Sequence, residues 1–581
     1  MKADKKDIGG IFPRNKLLDV PFYQRAYVWG REEWERLLED LTYMCEREEE
    51  YFLGSIILKD SVIEGSNPEN FAGRFIIVDG QQRLTTLLIL MKVLSLKTSD
   101  SRDFNDYFMK RDESSKDPSA QICALRHNHK DGPDFDRIVQ LKSLEEIDGD
   151  SGIIGAYNFF RESLDDELVD ILHVRQLVKY MNFIAVILDA DEDEQQIFDT
   201  INSLGVKLTT AELLKNYFFN RDNKDQFVTH WGSIFEKDEE TRKYWDHELV
   251  TGRLRRSLID IFFDSLLQIL SESKEFKVSD QDKKSYEKVE KLFHSYRNFI
   301  DKYLNKDKAR ILREIKSYAQ HFADIFDSSI CQQAIGKEPG MDRMNVLVFG
   351  LKSSTIIPYV LYLRKETDSA STFNEMLGLI ESFLMRRLIS RESTKNYNRY
   401  FGSFIRAEIT TPDGLKQRFE ANDESTTALP GIQEIERQFS HETRYTNLHS
   451  KGILYLLEAG IRDAGASTTL LGFDAYSLEH LMPKKWEDKW PLNSDSTADD
   501  RNELIKTIGN LAIITRTLNS SISNSDWQTK LDGKGRYVGL QGSASGLLTM
   551  KDVLSTDDWT EAAITTRAIT LAEKAKRLWN F

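Results

Sequence analysis

The run Phe75-Ile76-Ile77-Val78 passes without a spacer into Asp79-Gly80-Gln81-Gln82-Arg83 and then into the apolar-dense stretch Leu84 to Leu94. The first segment reads as a buried strand, Asp-Gly as a tight turn, and the last as a helix packed on a sheet. Gly54-Ser55-Ile56-Ile57-Leu58 reads as a second buried strand. Strand, turn and helix in that order fit an α+β chain. Such a turn exposes backbone N–H groups at a helix N-terminus, where a phosphate binds favourably, and Arg83 can add a bidentate charged contact. On spacing alone, Asp79 as an N-cap and Gly80 as a turn glycine explain the same residues.

The chain has 581 residues, too long for one core, and length alone suggests about two to four domains. No apolar run approaches the roughly 18 residues of a membrane span, and the mean hydropathy is −0.47, so no membrane is expected as a partner. Met1-Lys2-Ala3-Asp4-Lys5-Lys6-Asp7 is charged and leads into no apolar segment, so no secretory signal is expected. Cys45, Cys123 and Cys331 are too widely spaced for a disulfide framework and fit a reducing cytoplasm, the expected location.

The net charge is −15, from 94 acidic and 79 basic residues, which argues against coating DNA through the whole surface. Any nucleic-acid contact then needs local basic patches. One candidate begins at Arg386 and Arg387 and continues through Arg391, Lys395, Tyr397, Arg399, Tyr400 and Arg406. A solvated helix face over packed aromatic residues explains that pattern equally well. A second patch is Lys484, Lys485, Trp486, Lys489 and Trp490.

That second patch follows an ordered set: Glu479-His480, then Asn510, then Asn519 nine positions later. Ala475-Tyr476-Ser477-Leu478 reads as a short strand that delivers Glu479 and His480 at its end, and Pro483 stops the run. Leu511-Ala512-Ile513-Ile514 reads as a second short strand with Asn510 at its mouth, and Thr517 to Lys530 as a polar, helix-compatible stretch carrying Asn519 on its first turn. A lone histidine beside a strand is more often packed than catalytic. Carboxylate, imidazole and amide in this order instead suit metal-dependent phosphodiester cleavage, because activating water needs a base and a counter-charge for the phosphate.

The arrangement resembles the HNH, or His-Me finger, nuclease motif. The resemblance implies a ββα-metal module with His480 as general base, Glu479 and Asn519 as ligands of Mg²⁺ or another divalent metal, and Asn510 bracing the loop and the imidazole. The cysteine pairs that hold zinc in many such modules are absent, so packing must hold this one.

Two further segments join the first. Tyr23-Gln24-Arg25 lies within the extended stretch Val20 to Trp29, and Asn202-Ser203-Leu204-Gly205-Val206-Lys207-Leu208-Thr209 leads into a helix expected from about Thr210. Together with Asp-Gly-Gln-Gln-Arg they resemble the N-terminal domain of GmrSD-type, modification-dependent (type IV) restriction enzymes, and the finger resembles that family's second domain. The resemblance implies a ParB/sulfiredoxin-like domain over residues 1–225 and an HNH nuclease domain over 441–581, and the helical spacing between them suggests a helical spacer over 226–440. Asp79, Gly80, Gln81, Gln82 and Arg83 would then form a nucleotide-phosphate motif for ATP, GTP or CTP. Tyr23, Gln24 and Arg25 would line the same pocket or one for modified DNA. No Walker loop is present, so hydrolysis would not be of the P-loop kind. Without a cysteine in Asp-Gly-Gln-Gln-Arg, sulfiredoxin-like redox chemistry is not expected.

The middle region has helical spacing, as in Leu254 to Phe263, and loops are expected at Asp368 to Thr372 and Ala421 to Thr427. His127-Asn128-His129 reads as a loop rather than a metal pair. The acidic run Asp189 to Glu194 reads as a helix start rather than a Ca²⁺ loop. The expected activity is anti-phage cutting or nicking of modified double-stranded DNA, regulated by a nucleoside triphosphate, with a homodimer as an open expectation. The alternatives are a nucleotide-gated DNA-binding clamp with an inactive finger and an RNase toxin.

Overall fold

The computed structural model of the protein is described for residues 2–581 except 23, 25, 62–72, 99, 113, 114, 116, 118, 128–130, 190–208, 220–222, 252, 253, 442–444, 463–468, 493–495 and 536. The chain forms two compact units, Met1–Ser233 and Ile234–Phe581, and both mix helix with strand. The α+β, multidomain class expected from the sequence is what the chain adopts.

The first unit is built on a six-stranded mixed sheet. Its strands are β1 (Lys2–Asp7), β2 (Lys16–Asp19), β3 (Tyr51–Ser61), β4 (Gly73–Asp79), β5 (Leu125–Arg126) and β6 (Met181–Leu188), in the order β1-β6-β3-β4-β2-β5. β1 with β6 and β3 with β4 are antiparallel, setting Asp4 opposite Ala185 and Leu58 opposite Ile77. The other three neighbours run parallel.

Successive side chains of a strand alternate between faces, so Phe75 and Ile77 enter one core with Leu18, Ile56 and Leu58. Helix α1 (Arg31–Arg47) adds the stripe Trp34, Leu37, Leu41 and Met44. Helix α2 (Gln81–Lys97) is buried nearly all round, with Leu84, Leu87, Leu88, Ile89, Leu90 and Met91 each at 0% exposure. A helix apolar on every side is stable only inside a core. The opposite face carries Ile57, Val186 and Leu188, packed with Leu213 of α3 (Thr210–Phe218). The helix expected from about Thr210 does begin there, because Thr209 and Glu212 form a reciprocal capping box.

The second unit is mainly helical. Leu254 to Phe263, expected as one helical stretch, divides in two. Leu254–Ser257 pairs antiparallel with Glu248–Thr251, and helix α4 (Leu258–Glu272) starts only afterwards. Ser257 causes the break, since its hydroxyl accepts the Asp260 amide at 3.4 Å and caps the helix there. Helix α5 (Ala370–Ile389) likewise begins inside the expected loop at Asp368 to Thr372, capped by Ser369. The stretch from Ala421 to Thr427 contains no helix or strand.

Buried polar contacts join the segments on either side of residue 440. Arg343 donates to Glu381 Oε2 at 2.8 Å and to the Leu456 carbonyl at 3.0 Å, and Trp579 Nε1 donates to Glu381 Oε1 at 3.0 Å. The helical middle and the C-terminal segment therefore share one core.

Candidate active site

Strands β7 (Tyr476–His480) and β8 (Leu511–Thr515) pair antiparallel, with Glu479 opposite Ala512 and His480 opposite Leu511. The chain then enters α7 (Arg516–Ile522), capped by Thr515, whose side chain accepts from Leu518 N. Helices α6 (Asn447–Ile461), α8 (Trp527–Asp532) and α9 (Glu561–Leu578) complete the surroundings. The expected strand, strand, helix order is present, although Thr517 to Lys530 spans two short helices.

Asn510 is fully buried and has all its bonding capacity in use. Its Oδ1 accepts from Met482 N at 2.8 Å and Trp559 Nε1 at 3.0 Å; its Nδ2 donates to the Met482 and Ile505 carbonyls at 2.8 and 2.9 Å. It thus braces the loop that follows His480, and the structure gives it no hydrogen bond to the imidazole. The Asn510 side chain is enclosed by these partners.

Arg567 on α9 clamps the turn before β8, donating to the Gly509 and Leu511 carbonyls at 2.5 and 2.8 Å. A side chain at Gly509 would meet the Ile564 carbonyl oxygen at 2.2 Å, so only glycine admits this approach.

Lys530, on α8, has 0% exposure and donates to Glu479 Oε1 at 2.5 Å and to the His480 carbonyl at 2.8 Å. Burial pushes the Glu479 carboxyl up and the Lys530 ammonium down from their ordinary values, and each partner's charge opposes the other's shift. Burial, with Lys484 and Lys530 nearby, lowers His480 to about 4, so its imidazole is neutral at pH 7. Asn519 Nδ2 donates to Ser477 Oγ at 2.9 Å and to the Leu478 carbonyl at 3.0 Å. Its amide is thereby fixed against the strand one residue before Glu479, leaving Oδ1 as the atom able to ligate.

One carboxylate and one amide oxygen are hard donors, which suit a cation that keeps most of its own water. Among the described residues no group of three or more His, Cys, Asp or Glu gathers as a metal site. Any ligation here would rest on this pair and water.

Lys484, Lys485 and Lys489 are exposed beside this centre, while Trp486 and Trp490 are buried and donate to Asn502 Oδ1 and the Ser525 carbonyl. The tryptophans anchor the segment that presents the lysines. The other basic patch is a different matter. Arg387 has 0% exposure and donates to the Ser393 and Thr426 carbonyls at 2.9 and 2.7 Å, and to that of Ala428. Arg386 is buried against the Pro430 carbonyl. Both guanidiniums are turned inward onto carbonyls, in keeping with the packed-face alternative for this segment. Arg399 is exposed and paired with Glu287 at 3.2 Å.

A binding measurement separates the two patches. Replacing both Lys484 and Lys485 by alanine is expected to make the dependence of log K on log salt shallower by about 2. Arg387→Met should leave that slope unchanged and cost about 1–3 kcal/mol of stability, because carbonyls lose their donor. A shallower slope for Arg387→Met would reinstate it as a phosphate contact.

In the first unit, Gly80 joins β4 to α2 with φ of 100°, and a side chain there would sit 3.0 Å from Ile56 Cγ1. Gly80 itself, not Asp79, occupies the N-cap position. Arg83 Nη1 donates to the Ser55 carbonyl at 2.6 Å, and its guanidinium lies against Gly54, whose added side chain would meet it at 3.1 Å. Gln81 and Gln82 are buried. Gln82 accepts from Val28 N at 2.9 Å and donates to the Ala26 carbonyl at 3.3 Å, while Gln24 donates to the Val78 carbonyl at 3.2 Å.

The fold thus brings Gln24, Ala26 and Val28 against the end of β4 and the start of α2. Tyr23 and Arg25 lie outside the described residues, as do Asn202 to Leu208, Asn128, His129 and all of the acidic run after Asp189.

Sequence spacing missed several supporting residues. His127 Nε2 lies 2.7 Å from Thr85 Oγ1, and its Nδ1 lies 3.9 Å from Asp131 Oδ2, the oxygen that accepts Tyr27 N at 2.8 Å. Burial lowers His127 to about 3. Thr85, His127 and Asp131 thus link α2 to the stretch containing Gln24. Glu479 stood out in the sequence, but nothing there paired it with Lys530.

Residues 8–219 match the family model for the N-terminal domain of the GmrSD restriction endonuclease, and residues 429–574 match that for the C-terminal domain of GmrSD restriction endonucleases. No curated protein matches the chain. Both family domains are present in order and together span most of its length, so the chain belongs to the GmrSD restriction endonuclease family.

Proposed function

We propose that the protein is a modification-dependent DNA endonuclease in which a ParB/sulfiredoxin-like first unit binds and hydrolyses a nucleoside triphosphate, and a His-Me finger in the second cuts or nicks duplex DNA. The observation carrying this reading is the cluster of Glu479, His480, Lys530 and Asn519 at the end of one strand pair. The neutral His480 imidazole takes a proton from water, and the resulting hydroxide attacks phosphorus as the bond to the 3′-oxygen breaks. Phosphates of bound DNA offset the Lys484 and Lys530 charges and raise His480 toward its working range. Glu479 and Asn519 would hold a divalent metal, Mg²⁺ by its fit to oxygen donors, which supplies counter-charge to the phosphorane and the departing oxygen. Lys530 holds the Glu479 carboxylate in place, and Asn510 holds the loop.

In the first unit, the backbone turn at Gly80 and the Arg83 side chain would take the triphosphate oxygens. The decisive experiment is cleavage of a panel of phage DNAs that differ in base glucosylation, hydroxymethylation or backbone phosphorothioation, with Mg²⁺ and each triphosphate added or omitted. Cutting confined to modified DNA is the expected result, with Arg83→Ala impairing triphosphate turnover. Binding of nucleotide and DNA with no cleavage of any substrate would instead favour a clamp, and cleavage of RNA alone a toxin.

A further inference from the structure

Helix α2 carries a second chemical feature at the end away from the Gly80 turn. Lys92 lies 11 residues beyond Gln81, or roughly 16 Å along the axis at 1.5 Å per residue. It lines a cavity of about 690 Å³ in the first unit, within the range of small-molecule sites. The wall is chemically one-sided. Among the described residues Lys92 and Lys142 are its only charged ones, Asn105 and Gln121 add amides, and Leu96 and Leu141 add apolar surface.

Lys92 itself is 4% exposed. Its ammonium lies 5.1 Å from the centre of the Phe104 ring and is paired with no carboxylate among the described residues. The nearest thiol cannot serve as counter-charge, because burial pushes Cys123 up to about 12 and keeps it protonated. Burial accordingly lowers the Lys92 ammonium from its ordinary value. A cation kept nearly out of water without a partner costs stability, and an anion entering the cavity would remove that cost. A lysine needed only for packing would be better served by an apolar side chain of equal length.

We infer that this cavity binds a small organic anion of about nucleotide size, with Lys92 as its counter-charge, separately from the Asp79 to Arg83 motif. The apolar and amide walls take the body of the ligand and Lys92 its anionic group. The volume exceeds what inorganic phosphate alone would fill.

Thermal unfolding of the full chain with nucleoside 5′-monophosphates tests this, with inorganic phosphate and the unphosphorylated nucleosides as controls. At least one monophosphate is expected to raise the transition of the first unit by several degrees, in the wild type and in Arg83→Ala alike, while neither control does. Lys92→Met should melt at or above the wild-type temperature without ligand, and should lose the monophosphate shift. Ser143→Trp, at an exposed position of the wall, should fill the cavity and also lose the shift. The inference is overturned if no monophosphate shifts the wild type, if the shift survives both Lys92→Met and Ser143→Trp, or if it disappears in Arg83→Ala.

Discussion

Replacing His480 by alanine is expected to lower DNA cleavage by about 10²–10⁴-fold, the usual contribution of a positioned general base. Triphosphate turnover should stay near the wild-type rate, because the Asp79 to Arg83 turn belongs to the other compact unit. Asn510 and Arg567 hold the surrounding loop through bonds to other groups, so the variant should fold. Single-turnover cleavage of a modified DNA, run beside a turnover assay, reads both quantities. Wild-type cleavage by His480→Ala would move the chemistry to another residue.

Replacing Lys530 by methionine carries the largest expected loss of stability. It leaves the buried Glu479 carboxylate without its partner, and breaking one side of a buried pair costs about 3–5 kcal/mol. It also removes the donor to the His480 carbonyl. The measurement is a double-mutant cycle by denaturant unfolding of the full chain, using Lys530→Met, Glu479→Gln and both together. The double variant should be more stable than the sum of the single losses predicts, since neither charge is then stranded. Additive losses would mean that the pair contributes nothing as a pair.

These two expectations differ in how far the sequence reveals them. The Glu479-His480 step and the Asn510 to Asn519 interval are local, and a short strand pair followed by a helix is what such segments form. The same holds for the β4 to α2 turn, where a φ of 100° at Gly80 favours glycine and Ile56 lies close. Ser257 was legible in principle as a cap, yet the apolar periodicity around it outweighed that signal. Arg386 and Arg387 show the opposite limit. Their spacing beside aromatic residues suits a nucleic-acid surface, but four carbonyls between Ser393 and Pro430 draw them inside.

By itself, the sequence determined the α+β class and the order of the two family domains, and it marked Glu479, His480, Asn510 and Asn519 as one ordered set. Local periodicity, turn chemistry and motif spacing act over short stretches of chain. Only the tertiary structure decided which cations face water and which are spent internally. Lys530 meets Glu479 across 51 residues, and Arg567 meets Gly509 across 58. Burial and pairing depend on what folds over a side chain from elsewhere, and neighbouring residues carry no record of that.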